Sequence, residues 1–156
     1  MWAVLQRAEL SMSRIDRSAL VRVPSAQMFR LVDDVEAYPR RFNWCEASQL
    51  LFRSEFERVA RLDVRMAGLR ISFTTRNSLE PERRIGLQLV EGPFQKLSGE
   101  WRFTALGDQA CRVELQLDFE VAGKLMGGAL AAGFRGLADR LVDDFVRAAR
   151  QEQGSA

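Results

Sequence analysis

Histidine is absent from the 156-residue chain. That gap excludes Ser-His-Asp and Cys-His nucleophilic machinery, imidazole acid–base catalysis and every His-containing zinc site. Cys45 and Cys111 are the only cysteines. They are too few for a four-cysteine zinc or iron–sulfur centre, and they make no disulfide framework for an oxidising compartment. Tyr38 is the only tyrosine, and Lys96 and Lys124 are the only lysines. No apolar run approaches the ~18 residues of a membrane span. No glycine-rich phosphate loop, low-complexity tract or internal repeat interrupts the chain. Catalysis would have to rest on carboxylates, Tyr38, arginine or lysine. We expect no catalytic residue, no metal and no cofactor.

What is present is the composition of a globular domain, 47% hydrophobic and 28% charged. A chain of this length buries roughly two-thirds of its unfolded surface without staples. Basic residues number 23 and acidic residues 21, so the formal charge is only +2. That is no excess of the kind DNA binding demands, and DNA is not an expected partner. The dominance of arginine over lysine is either a compositional habit or a means of phosphate recognition, to which the guanidinium fork is suited. Residues 1–13 read as an N-terminal extension, with Met12 as an alternative start. The stretch from Met1 to Leu5 is too short, and too soon broken by Gln6, Arg7 and Glu9, for a signal peptide. Residues 14–150 read as one domain and 151–156 as a tail, placed in the cytoplasm or at the periphery of the inner membrane.

The first strand-like segment, Ile15 to Val23, has muddled alternation, because Arg14, Arg17 and Arg22 fall on both faces. Ser25 then suits a helix N-cap ahead of Met28, Phe29, Leu31 and Val32. A second short helix is expected over Val35 to Arg40, limited by Pro39. From Trp44 the period becomes two. Ala60, Leu62, Val64 and Met66 alternate with charges, and so do Leu69, Ile71 and Phe73 beyond Gly68. Further apolar faces follow in Ile85–Leu89, Leu97–Phe103 and Cys111–Val121. This pattern predicts an antiparallel sheet with one wet face. From about Lys124 to Arg150, Leu130, Phe134, Leu137, Leu141 and Phe145 share one helical stripe. The architecture expected is α+β: about seven curved strands, two short helices and a long C-terminal helix in the concave face.

Bulky residues crowd that face: Met66, Phe73, Trp101, Phe103, Phe119 and Phe134, with Phe42 and Trp44 at its rim. Either they fill it, or sheet and helix enclose an apolar pocket of roughly 300–1,000 Å³. Tyr38, Asn77 and Leu137 complete the candidate cavity residues. Glycines 123, 127, 128, 133 and 136 open the last helix at up to ~1 kcal/mol each. They either clear room for a ligand or mark a loop ending near Ala129. The acidic neighbours Asp33-Asp34, Glu55 with Glu57, and Asp143-Asp144 read as solvated carboxylates. Arg40, Arg41, Arg83 and Arg84 are candidate contacts for phosphate, whether of a lipid headgroup or of RNA.

Several stretches resemble one family. Asp34-Val35-Glu36-Ala37-Tyr38-Pro39 followed by Trp44-Cys45 resembles the signature of the coenzyme Q-binding protein family. Phe73-Thr74-Thr75-Arg76-Asn77, Leu89 to Phe94, the series Leu97, Gly99, Trp101, Phe103, and Leu141-Val142-Asp143 with Phe145 are similar as well. The likeness spans about residues 14–150. The family includes the bacterial ribosome association toxin of a toxin–antitoxin pair, and lies within the START-like, polyketide cyclase and lipid-transport superfamily. The resemblance implies the helix-grip fold and binding of ubiquinone or another polyprenyl lipid, supporting respiration or quinone biosynthesis. The partners it implies are a quinone-like small molecule, a membrane surface, or the large ribosomal subunit with a block on subunit joining. A polyketide aromatase/cyclase is the lesser alternative. Arg41-Phe42-Asn43 stands where the family tends to have Phe-Leu-Pro, which puts a charge at the expected cavity mouth.

Overall fold

The computed structural model describes residues 12–123 and 127–154. Strand β1 (Ser13–Val21) leads through helix α1 (Ser25–Asp33), a 3₁₀ turn (Val35–Ala37) and helix α2 (Tyr38–Arg41) into a six-strand meander. Its strands are β2 (Cys45–Arg53), β3 (Glu57–Met66), β4 (Leu69–Glu80), β5 (Arg84–Glu91), β6 (Phe94–Ala105) and β7 (Cys111–Val121). Helix α3 (Gly127–Gly154) closes the chain. At ~1.5 Å per residue it is a rod of about 40 Å. All seven strands form one antiparallel sheet in the order β1-β7-β6-β5-β4-β3-β2. β1 thus returns to pair with β7, with Ser13 opposite Phe119 and Val21 opposite Cys111.

The period-two segments form strands because each buries one face against the helices. In β7, Cys111, Val113, Leu115, Leu117 and Phe119 are buried while Arg112 and Gln116 are exposed. Two glycines fix the sheet's shape. Gly68, at φ +80°, follows Ala67 at φ 48° in the tight β3–β4 turn. Gly99 lies so close to β7 that a Cβ there would stand 2.8 Å from Leu117 Cα. Beneath α3, Phe145 and Phe119 are 1% exposed and Trp101 3%, so the core lies between sheet and helix.

The irregular first strand has a simple cause. Arg17 occupies a concave-face position in β1 and reaches Asp139 of α3 at 3.2 Å, so the charge that spoils the alternation ties the sheet edge to the helix. Ser25 is not an N-cap: Pro24 takes that place, and its carbonyl accepts the N–H groups of Gln27 and Met28, both at 3.1 Å. Pro39 does not limit its helix but opens it, in the first turn of α2, where its missing N–H costs nothing. The long helix begins at Gly127 rather than near Ala129, and its last turn reaches Gly154, beyond Arg150. Of its glycines, only Gly133 lies against the sheet, where a Cβ would meet Met66 Cγ at 3.5 Å. The expected extension up to residue 11, Lys124 and the last two residues of the tail lie outside the described residues.

Candidate functional site

Two places carry the candidate residues, one inside the grip and one outside. The inner one is an apolar cavity under α3, of about 90 Å³, lined from β3, β4, β5, β6, β7 and α3. It falls well short of the expected 300–1,000 Å³, because two groups of rings close in on it. At one end Phe134 lies 4.8 Å from both Phe94 and Phe119 and 5.9 Å from Phe73. At the other, Phe145 packs 4.6 Å from Phe42, 5.2 Å from Trp101 and 5.3 Å from Tyr38. Edge-to-face packing of this kind fills space at native density.

Tyr38, Trp44, Phe73, Asn77, Trp101, Phe134 and Leu137 line the cavity. The other four expected there do not. Phe42 is stacked on Trp44 with centroids 5.0 Å apart and faces the outer groove described below. Met66 packs beside Gly133, Phe103 lies against Phe29 of α1 at 5.7 Å, and Phe119 lies behind Phe134 and Phe94. Half-buried Leu62, Leu87 and Leu141 also line it; the pattern puts them on apolar faces without singling them out for the cavity, and it leaves out half-buried Thr75 altogether. Thr75 was legible, since it keeps the odd-numbered register of Phe73 and Asn77 on β4. The polarity of the cavity is concentrated in Thr75 and Asn77 of β4. Asn77 is 6% exposed, and its Oδ1 accepts from Thr75 Oγ1 at 2.7 Å. The oxygen is thereby committed as an acceptor.

Nothing in this lining is poised for acid–base work. The Tyr38 hydroxyl donates to the Val32 carbonyl, and burial pushes its phenol above the ordinary range. The Cys45 thiol, buried beside the rim, is pushed up to about 11 by desolvation, so it is a neutral thiol at physiological pH. The acidic neighbours divide among separate partners. Asp33 pairs with the buried Arg58 at 3.2 Å, and Asp144 accepts from Trp44 Nε1 at 3.2 Å. Among the described residues no cluster of three or more His, Cys, Asp or Glu could hold a metal ion.

The four candidate arginines fall at opposite ends of the sheet. Arg83 lies in the β4–β5 turn and Arg84 opens β5, paired with Glu100 at 2.7 Å. Arg40 and Arg41 end α2, near the β3–β4 turn, at the other end of the twelve-residue β4. There Arg41 joins Arg65, Arg140 and Arg147 around an open groove of about 560 Å³, floored by Phe42, Trp44 and Met66. Only Arg41 of these was singled out by sequence. The others come from β3 and α3, and no local motif links them.

A curved seven-stranded antiparallel sheet gripping a long C-terminal helix, with an apolar cavity between them, is the architecture of a START-like protein. The sequence profile described as polyketide cyclase/dehydrase and lipid transport matches residues 21–146, and the chain belongs to that family. Within it, the chain is 43% identical over 143 residues to the ribosome association toxin RatA of Vibrio cholerae, covering 92% of this chain and 99% of that protein. RatA of Escherichia coli is 41% identical over 143 residues, covering 92% of this chain and 90% of that protein. Among solved structures, the Zhui aromatase/cyclase of a Streptomyces species superposes with a TM-score of 0.78 at 26% identity, covering 90% of this chain and 94% of that one.

Proposed function

We propose that this protein associates with the ribosome, binding the large subunit through its outer surface and hindering subunit joining. The observation that carries the reading is the 43% identity to a ribosome association toxin across 92% of the chain. The geometry agrees with it, because the interior is nearly shut at about 90 Å³ while the outside presents an open, arginine-lined groove. Expression of the full chain in a bacterial host, followed by gradient sedimentation of ribosomes, tests it. Free subunits accumulate at the expense of joined ribosomes if the proposal holds; an unchanged profile counts against it.

A second reading is a hydrophobic ligand in the cavity, ubiquinone or a related prenyl lipid. What favours it is the buried Asn77 amide, a donor suited to a carbonyl oxygen in otherwise apolar walls. Such a tail needs more room than the cavity's volume of about 90 Å³, so its entry requires lining side chains to move. Mass spectrometry of an organic extract of gently purified protein decides this reading, and no enriched prenyl lipid would refute it. An aromatase/cyclase would need more polar groups on these walls than Thr75 and Asn77 supply.

A further inference from the structure

We propose that the groove between α3 and the β3–β4 turn binds the phosphodiester backbone of RNA, with Arg41, Arg65, Arg140 and Arg147 on its phosphates. The inference rests on the ribosome-association reading and gives it a contact surface. The four side chains come from three distant segments and converge around one concavity of about 560 Å³. Asp144 is the one carboxylate in the lining, and it is already engaged by the Trp44 indole and by Arg147 at 3.6 Å. At the rim, Glu46 is shared by Arg65 at 2.5 Å and Arg70 at 3.2 Å, and Glu152 meets Arg41 only at 3.5 Å.

Arg140 has no carboxylate partner among the described residues; its Nε donates to the Gly136 carbonyl at 3.3 Å. Arg41 keeps a buried Nε with no acceptor. The groove and its rim therefore hold five arginines against three carboxylates. That surplus equals the formal charge of +2 on the entire chain.

Planar guanidinium forks match phosphate oxygens in geometry as well as in charge. Arg140 and Arg147 are separated by two turns of α3, ~10 Å at 1.5 Å per residue. An anionic membrane is the poorer match. Phe42 and Trp44 in the groove are buried, and the exposed Leu51, Phe52 and Phe56 sit at the β2–β3 turn, at the far end of the sheet.

The test uses the full chain, the double variant Arg140→Gln/Arg147→Gln, and the charge-matched control Arg14→Gln/Arg112→Gln on β1 and β7. Arg14, Arg112, Arg140 and Arg147 are all exposed, so both variants fold. Each protein is cosedimented with purified large ribosomal subunits and titrated onto a labelled RNA hairpin across a salt series. The proposal expects a wild-type slope of log K against log salt of about −3, falling by roughly one for each arginine removed. The groove variant should bind both ligands at least about tenfold more weakly, and the control should resemble wild type.

If wild type, groove variant and control bind subunits and hairpin alike, the groove proposal is overturned and ribosome association stands. If the groove variant loses the subunits but keeps the hairpin, the groove contacts a ribosomal protein, and the RNA assignment is overturned. Hairpin binding that depends on the groove, without any subunit binding, upholds the groove and overturns ribosome association. Wild type that binds neither overturns both.

Discussion

The space under α3 and the groove beside it share one wall, Trp44, yet they are built on opposite principles. Inside, rings pack edge to face until only about 90 Å³ is left, and a single buried amide carries most of the polarity. Outside, charged side chains converge with more cations than anions, and the space stays open. Burial free energy drives the first arrangement and is indifferent to the second. Closing the cavity stabilises the fold by roughly 25 cal/mol per Å² of apolar surface removed from water. Clustering arginines repays nothing in stability, because exposed ion pairs contribute only ~0–1 kcal/mol. A feature that folding does not need is the better candidate for selection by a partner.

The largest effect that sharpens this contrast is expected from Phe145→Ala. Phe145 is 1% exposed and touches Tyr38, Phe42 and Trp101, so its loss should cost ~3–5 kcal/mol. Urea unfolding measures it, and a loss below about 1 kcal/mol would mean the ring cluster is not the keystone of the interior. Asp144→Ala comes next, at ~1–2 kcal/mol in the same measurement, because it strips the Trp44 indole N–H of its acceptor. The same change makes the groove more positive, so RNA binding should tighten while stability falls. Changes of the same sign in both would break the separation drawn between inside and outside.

Much of the fold could be read directly from residue order. Strict alternation in β3, β6 and β7 and the helical stripe of α3 are local properties, and local patterns survive in a linear string. The first strand resisted because Arg17 is placed by a partner, Asp139, that lies 122 residues away. The cavity was legible in its lining but not in its size. Sequence reveals which rings point inward; it does not reveal that Phe134 and Phe145 sit close enough to their neighbours to plug the gap. The groove was almost illegible: Arg140 and Arg147 share one face of α3, seven residues apart, but they meet Arg41 and Arg65 only after the sheet has curled.

A smaller effect is expected from Asn77→Leu, a change of similar volume that removes the one amide from the apolar walls. Stability should fall by about 1 kcal/mol, since the change strips the half-buried Thr75 hydroxyl of its acceptor. Thermal unfolding checks the sign. A gain would mark Asn77 as a residue kept at a cost to the fold; a loss would make it structural.

The smallest effect concerns pH. With no histidine, no side chain of ordinary pKa titrates near neutrality, and stability should be flat from about pH 5.5 to 8. Asp63, Glu100 and Asp118 are held below the usual carboxylate range, chiefly by hydrogen bonds from Ser72, Arg102 and Arg14 respectively. Their contribution is complete above the ordinary carboxylate value of about 4 and is lost as acid carries the pH down through their lowered values. Equilibrium unfolding across a pH series should show a plateau, a decline on its acid side, and another above about pH 9, where unfolding lets the buried Cys45 thiol and Tyr38 phenol ionise.

Two of the chain's three indoles, Trp44 and Trp101, give the molecule an optical readout of its own. Trp101 is sealed into the wall of the inner space, whereas Trp44 borders both compartments and lends its N–H to Asp144 in the outer one. With Trp44 replaced by phenylalanine, the emission that disappears is the part that senses the groove. Quenching by bound RNA should vanish with it, while any guest beneath α3 would still shift the light from Trp101.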